Sequence, residues 1–324
     1  MRAVKRVVRL GLHRAGAIRI FRRRYARCLR ILMYHQFPSN TVGIRKQCEH
    51  IKRYYHPVSM AQVARSLATG EQLPINALAV TVDDGYRDFL LYGYPAFQEF
   101  GIFPTVYLVS DFLDRKCWLW WNEIQYAIQR SRDGTIDVAI GNREYHLPIA
   151  TDAEKAGSSE VLIEDLKRLP NQDRQKAKTR ILESLKVHLP TDPPRQWEPL
   201  AWEEVRRLSE TGVEFGGHTR THVILASVRD STELHEQIAG CKQRLEQKLG
   251  SPVLHFCYPN GRIQDVGRAA IEQARDSGFL TAVTAERGMN DLSRANPWTL
   301  KRLGVDPDLP ADYFAELLAG FRTS

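Results

Sequence analysis

Short apolar, β-branched runs alternate along the chain with longer stretches in which apolar positions recur every three or four residues. The two periods separate strands from helices. Runs near 31–34, 78–82, 104–109, 212–217, 253–258, 280–284 and 299–305 predict seven strands. Helical spacing predicts helices near 44–55, 59–69, 86–100, 201–210, 229–249, 264–277 and 311–320. The helix before Gly250 is the best marked. Leu234, Ile238, Cys241, Leu245 and Leu249 form one apolar stripe, Gly250 supplies a left-handed stop, and Pro252 lies beyond it. Leu78-Ala79-Val80-Thr81-Val82 has no polar alternation and reads as a strand buried on both faces. Strands interleaved with helices predict an α/β fold, a distorted barrel.

The stretch from about 113 to 199 breaks this rhythm and reads as an insertion. It opens on Trp118-Leu119-Trp120-Trp121, continues through a hairpin near Ile136 to Leu147, and ends in a charged helical run from Gln172 to His188. The three tryptophans suit either sugar stacking or a small core anchoring the insertion, and the core is the more ordinary use.

Candidate chemistry sits at strand ends. Asp83-Asp84-Gly85 follows the strand at 78–82, and Gly85 allows a sharp turn. Adjacent residues leaving a strand face opposite sides, so one carboxylate can bind a metal while the other meets a water. The run Val213 to Gly217 leads into His218-Thr219-Arg220-Thr221-His222. On a helical turn, that four-residue spacing would put both imidazoles on one face. Singly these are an Asp-Gly turn and two surface histidines. Together they are a ligand set for a divalent ion with one carboxylate left as a base, at the strand ends where α/β folds assemble sites. A third strand ends in Tyr258-Pro259-Asn260-Gly261, a turn able to offer a backbone N–H to an oxyanion.

These residues resemble the polysaccharide deacetylase family, carbohydrate esterase family four, with its NodB-homology domain. That family shows Thr-Phe-Asp-Asp-Gly, His-Ser/Thr-x-x-His and Arg-x-Pro-Tyr-Gly-like motifs in order. This chain has Thr81-Val82-Asp83-Asp84-Gly85, His218 to His222 and Cys257-Tyr258-Pro259-Asn260-Gly261, within a resemblance spanning most of residues 31 to 306. The resemblance implies a distorted (β/α)7 barrel, here with an inserted segment and a basic N-terminal arm. It implies that Asp84, His218 and His222 hold the metal and that Asp83 is the base. The metal would be zinc, with cobalt or nickel as alternatives. Two departures stand out. Cys257 replaces an arginine, and Arg302 at the end of the last strand is the candidate to steer the carboxylate in its place. The late Leu-x-His motif that supplies an acid is absent. Branches of the family with permuted motifs place the equivalent strand at the N-terminal side, where Leu32-Met33-Tyr34-His35 ends in histidine, so His35 is the candidate acid. Tyr258 and Asn260 are the candidate oxyanion residues. The expected activity is N-deacetylation of a sugar in a polysaccharide or glycolipid. The alternatives are deformylation or deacylation of a lipid-linked sugar, or a glycan-binding homologue without turnover.

The formal charge of +8 belongs to one segment. Residues 1–30 carry 11 Lys or Arg and no Asp or Glu, leaving 35 basic against 38 acidic residues in the rest. Apolar residues at roughly helical spacing separate the basic ones, which suits either an anionic membrane surface or a solvated, partly packed N-terminal helix. No nucleic-acid recognition motif accompanies the basic arm, so nucleic acid is not the expected partner. The arm contains no apolar core of the secretory-signal type. Five cysteines without a Cys-x-x-Cys pair point to free thiols in a reducing compartment. The expected location is therefore cytoplasmic, peripheral at the inner face of the membrane. The expected division is an arm, 1–30, and a barrel, 31–324.

Overall fold

The computed structural model describes residues 16–321, so the first half of the basic arm, residues 1–15, lies outside the described residues. The ten strands are β1 (Arg30–Tyr34), β2 (His56–Pro57), β3 (Ala77–Val82), β4 (Thr105–Leu108), β5 (Thr135–Ile140), β6 (Arg143–Pro148), β7 (Glu214–Gly217), β8 (His255–Cys257), β9 (Thr281–Arg287) and β10 (Leu300–Gly304). Seven of them pair in parallel in the order β1-β10-β9-β8-β7-β4-β3, and β3 pairs back onto β1 across five residues. The sheet therefore closes into a seven-stranded parallel barrel with helices between strands. Two-residue β2 pairs with the start of β3, on the edge that β4 covers only from Thr81 onward.

Strand alternation sorts the barrel into an inside and an outside. Leu32, Tyr34, Leu78, Val80 and Val82 join the large core under the helices. Ile31, Ala77, Ala79, Tyr107, Cys257, Val283 and Leu300 form a separate cluster with the opposite parity, which fills the barrel. Thr81, Asp83 and Arg302 share that parity and continue it toward the C-terminal rim. The interior is tight: a Cβ on Gly216 would lie 2.5 Å from the Tyr107 ring and 2.7 Å from the His255 carbonyl, so β7 needs glycine there.

The predicted strands and helices appear close to their expected positions, and π-helical turns interrupt two of the helices, at Phe89–Gly93 and Glu236–Gly240. The insertion has its own core, built from Trp120, Ile124, Ile128, Ile136, Leu162, Leu166, Ile181 and neighbours. Its hairpin is β5-β6, and the charged run is the helix Asn171–Ser184. Two further helices, Trp120–Arg130 and Asp152–Leu166, complete it. The helix Ala17–Arg24 precedes β1. No described helix is long and apolar enough to cross a membrane.

Candidate active site

The C-terminal ends of β3, β7 and β8 deliver the candidate residues to one place. Asp84 follows β3 with a φ of 78°, and Gly85 at 85° completes the turn. A side chain on Gly85 would press on the Leu108 methyl at 2.8 Å and make that side chain shift, and the left-handed backbone is what calls for glycine here. After β7 the chain forms a loop and not the helical turn that the spacing of His218 and His222 suggests. Thr219 and His222 adopt left-handed φ values of 64° and 55°, and these fold the loop so that the rings meet, with centroids 4.7 Å apart. Asn260 is left-handed as well, at 57°. Four of the seven described non-glycine residues with positive φ thus surround this site. Such conformations cost on the order of 1 kcal/mol or more each and persist where neighbours enforce them.

Asp84 Oδ1 lies 3.5 Å from His218 Nε2 and 3.4 Å from His222 Nε2. All three residues are buried. His218 Nδ1 donates to the Cys257 carbonyl at 2.7 Å, which turns the Nε2 lone pair toward Asp84. Asp84 Oδ1 is buried and accepts no hydrogen bond. Two imidazole nitrogens and a carboxylate oxygen that converge at ligand-like spacing, with Asp84 Oδ1 left without a hydrogen-bond partner, suit a divalent cation, so the residues present fit a metal. Burial and the adjacent His218 ring take the His222 pKa down to about 3, leaving that imidazole neutral. At His218 burial also lowers proton affinity, but Cys257 and Asp84 raise it more, so a cation there competes with a proton.

Asp83 turns the other way, into the barrel. Arg302 donates to its Oδ1 at 2.7 Å through Nη1 and to its Oδ2 at 2.8 Å through Nη2. Burial would raise the Asp83 pKa, but Arg302 overrides it and holds the carboxyl well below the usual carboxylate range. The guanidinium also donates to the Thr284 carbonyl and the Thr81 hydroxyl, and lies 3.1 Å from Cys257 Sγ. Arg302 therefore steers Asp83 and has no donor left for substrate. Cys257, the departure from the family motif, fits between the two, its Sγ 3.4 Å from Asp83 Oδ2.

His35, at the end of β1, places Nε2 3.8 Å from Asp83 Oδ2, with its side chain 51% exposed. His255, the other histidine inside the barrel, is buried at the start of β8 and bonds the Thr281 hydroxyl, away from Asp83. The expectation for Tyr258 needs correction. Its backbone N–H donates to Val283 O and its hydroxyl to Trp298 O, so it has no donor for an oxyanion. The Asn260 N–H donates to no described group and remains available.

A cavity of about 1200 Å³ opens over these residues. The barrel lines it with His35, Asp83, Asp84, His218, His222 and Asn260, and the helix Asp152–Leu166 of the insertion walls one side. Trp118 and Trp120 are buried in cores, as expected of anchoring tryptophans. Trp121 is different. It lines the cavity and sets its ring edge-on to His222, centroids 4.5 Å apart. The sequence offered no sign that would single it out from its two neighbours.

The chain is a parallel α/β barrel with a buried Asp-His-His cluster at its C-terminal rim, the class of protein that carries a metal-type donor set at its strand ends. The family model for polysaccharide deacetylase matches residues 70–279, well over half of the chain, and the chain belongs to that family. The matched segment holds the Asp-Asp, His-x-x-x-His and Pro-Asn-Gly motifs, while His35 and Arg302 lie outside it. No curated protein sequence matches. Among solved structures, the chain resembles the deacetylase PplD of Streptococcus pyogenes, determined in complex with acetate, at 14% identity and a TM-score of 0.59 over 90% of this chain and 98% of that one. It also resembles IcaB from Ammonifex degensii, at 16% identity and 0.56, over 90% and 97%. The deacetylase domain of BpsB from Bordetella bronchiseptica matches at 14% and 0.55, over 87% and 97%. At these identities the likeness is one of fold.

Proposed function

We propose that the protein is a metal-dependent N-deacetylase that hydrolyses the acetamide of an N-acetylated sugar in a polysaccharide or glycolipid. The observation that carries this reading is the convergence of Asp84, His218 and His222 beneath the cavity of a polysaccharide deacetylase family barrel. These three residues would hold a divalent cation, zinc or else cobalt or nickel, which when bound supplies Lewis-acid polarisation of the amide carbonyl and of the attacking water. Asp83, kept ionised and aimed by Arg302, accepts the proton of that water. The Asn260 N–H meets the oxygen of the tetrahedral intermediate. His35, open to the cavity and close to Asp83, gives a proton to the leaving amine as the C–N bond breaks. Acetate and the free amine are the products.

The five free thiols and the basic arm fit a cytoplasmic protein held at the inner face of an anionic membrane. A panel of N-acetylated glycans, incubated with metal-loaded protein and assayed for acetate, tests the activity. Acetate release from at least one member is expected. Binding of a glycan without release of any acyl group would replace the enzyme by a glycan-binding homologue.

A further inference from the structure

The two histidines of the cluster are held by different means. His218 Nδ1 donates to the Cys257 carbonyl at 2.7 Å, the usual way in which a protein fixes the tautomer and direction of a metal-binding imidazole. His222 has no such partner. Its Nδ1 is buried and meets no hydrogen-bond acceptor on another described residue, with only its own backbone near. Two rings close on it instead. The His218 ring lies with centroids 4.7 Å apart and planes at 85°, and the Trp121 ring at 4.5 Å and 71°. Both are the steep geometry that aromatic pairs favour. Of these two neighbours, Trp121 is the one that comes from outside the cluster.

The surroundings of Trp121 leave its ring little freedom to turn. Trp118 packs in the barrel core and Trp120 in the core of the insertion, whereas Trp121 packs against both. It is the second residue of the helix Trp120–Arg130, and the Trp120 ring stands perpendicular to it with centroids 5.6 Å apart. Its indole N–H lies beside the Tyr86 hydroxyl, which donates to Asn122 Oδ1 at 2.6 Å. Tyr86 directly follows the Asp83-Asp84-Gly85 turn. Trp121 is therefore wedged between the insertion, the turn that carries Asp84 and the ring of His222.

We propose that Trp121 is a positioning residue for the metal centre: supplied by the insertion, its ring takes the place of a hydrogen bond in aiming His222 Nε2 at the ion. The inference rests on the reading of Asp84, His218 and His222 as metal ligands. It makes the insertion part of the centre, because the first helix of the insertion must be docked on the barrel for the third ligand to be held.

Zinc affinity of the full-length protein, measured by competition with a chromophoric chelator, tests this without recourse to activity. Trp121→Leu is expected to weaken zinc binding about tenfold or more, the loss that follows when a ligand is deprived of its orienting neighbour. Trp121→Phe keeps a ring and is expected to lose less. Trp118→Leu and Trp118→Phe are the controls: they empty a comparable volume in the barrel core, at a residue whose ring contact is with Tyr126 and not with the cluster, and zinc affinity is expected to stay at the wild-type value. Far-UV circular dichroism checks the fold of each. Should Trp121→Leu fail to fold, the two Phe variants decide, with weaker zinc binding in Trp121→Phe than in Trp118→Phe expected and equal binding overturning the proposal. Wild-type affinity in a folded Trp121→Leu, or the same loss in Trp118→Leu, would overturn the positioning role and leave the metal reading standing. No zinc binding by the wild type would overturn the metal reading and this inference with it.

Discussion

Both carboxylate oxygens of Asp83 are taken by the guanidinium of Arg302, at 2.7 and 2.8 Å, across the barrel from β10. The clamp keeps a fully buried carboxylate ionised, and Cys257 leaves room for it where the family motif has an arginine. Such a fork fixes direction as well as charge.

Arg302→Ala leaves Asp83 buried without a counter-charge, and the expected cost is about 3–5 kcal/mol. Arg302→Lys keeps the charge but loses the fork, so a smaller loss is expected. Since Arg302 is what depresses the Asp83 pKa, either variant must raise it. The acid limb of the kcat/KM profile then moves to higher pH. Urea melts give the first quantity and pH–rate profiles the second. An acid limb unmoved in Arg302→Lys would refute the steering role.

His35 is half exposed and 3.8 Å from Asp83. His35→Ala is therefore expected to leave stability within about 0.5 kcal/mol while lowering kcat by ~10²-fold or more, the loss of a general acid. His255→Ala should do the reverse, costing about 1 kcal/mol through the lost bond to Thr281 and little turnover. Thermal melts and single-turnover rates on the two variants separate the roles, and the opposite pattern would reassign the acid.

The barrel was readable because its strands are buried on both faces and appear as unbroken apolar runs, as at Leu78 to Val82. The insertion was less so. The helix Asp152–Leu166 carries Gly157, Ser158 and Ser159 and little amphipathic contrast; its one clear signal is the capping box of Thr151 and Glu154. Helix Trp120–Arg130 did offer Trp120, Ile124, Ala127 and Ile128 at helical spacing. At the site, spacing showed that His218 and His222 belong together but not how, because the loop depends on left-handed backbone at Thr219 and His222. The identity of Tyr258 gave no hint that the Val283 carbonyl takes its N–H. Asp83 and Arg302 are 219 positions apart, and only closure of the barrel brings them together.

Asp114 ties the barrel to the helices beside it. It accepts from Arg244 at 2.8 Å, Lys116 at 2.8 Å and Trp202 Nε1 at 3.0 Å. Desolvation raises its pKa, but Arg244, Lys116 and Trp202 lower it more, to about 2. A depressed carboxylate pKa stabilises the fold above its unfolded value of 3.8 and loses that effect as pH falls toward 2. Asp114→Asn should therefore cost about 2 kcal/mol at pH 7, and the cost should shrink steadily as pH falls from 4 through 2. Denaturant titrations of both proteins across this window measure the difference, and a constant gap would show that Asp114 acts through shape and not charge.

The metal assignment makes the strictest demand. Asp84 Oδ1, His218 Nε2 and His222 Nε2 converge, and His218 is held in that orientation by the Cys257 carbonyl. Asp83 is held apart by Arg302 and is not needed to bind an ion. Replacing Asp84, His218 or His222 by Ala should therefore remove the ion, whereas Asp83→Asn should retain it, and all four changes should abolish turnover. Metal content can be read by elemental analysis after dialysis. Stability supplies a readout independent of activity, since a ligand at 100 times its Kd adds about 2.7 kcal/mol to the native state. Added zinc should raise the unfolding midpoint of the wild type and of Asp83→Asn, and leave that of the His218→Ala, His222→Ala double variant unchanged. Full metal occupancy in that double variant would move the site elsewhere, and the cluster of Asp83, His218 and Cys257 is the test's second address, examined by Cys257→Ser. Loss of zinc stabilisation in Cys257→Ser but not in Asp84→Ala would place the ion on the Arg302 side of the barrel.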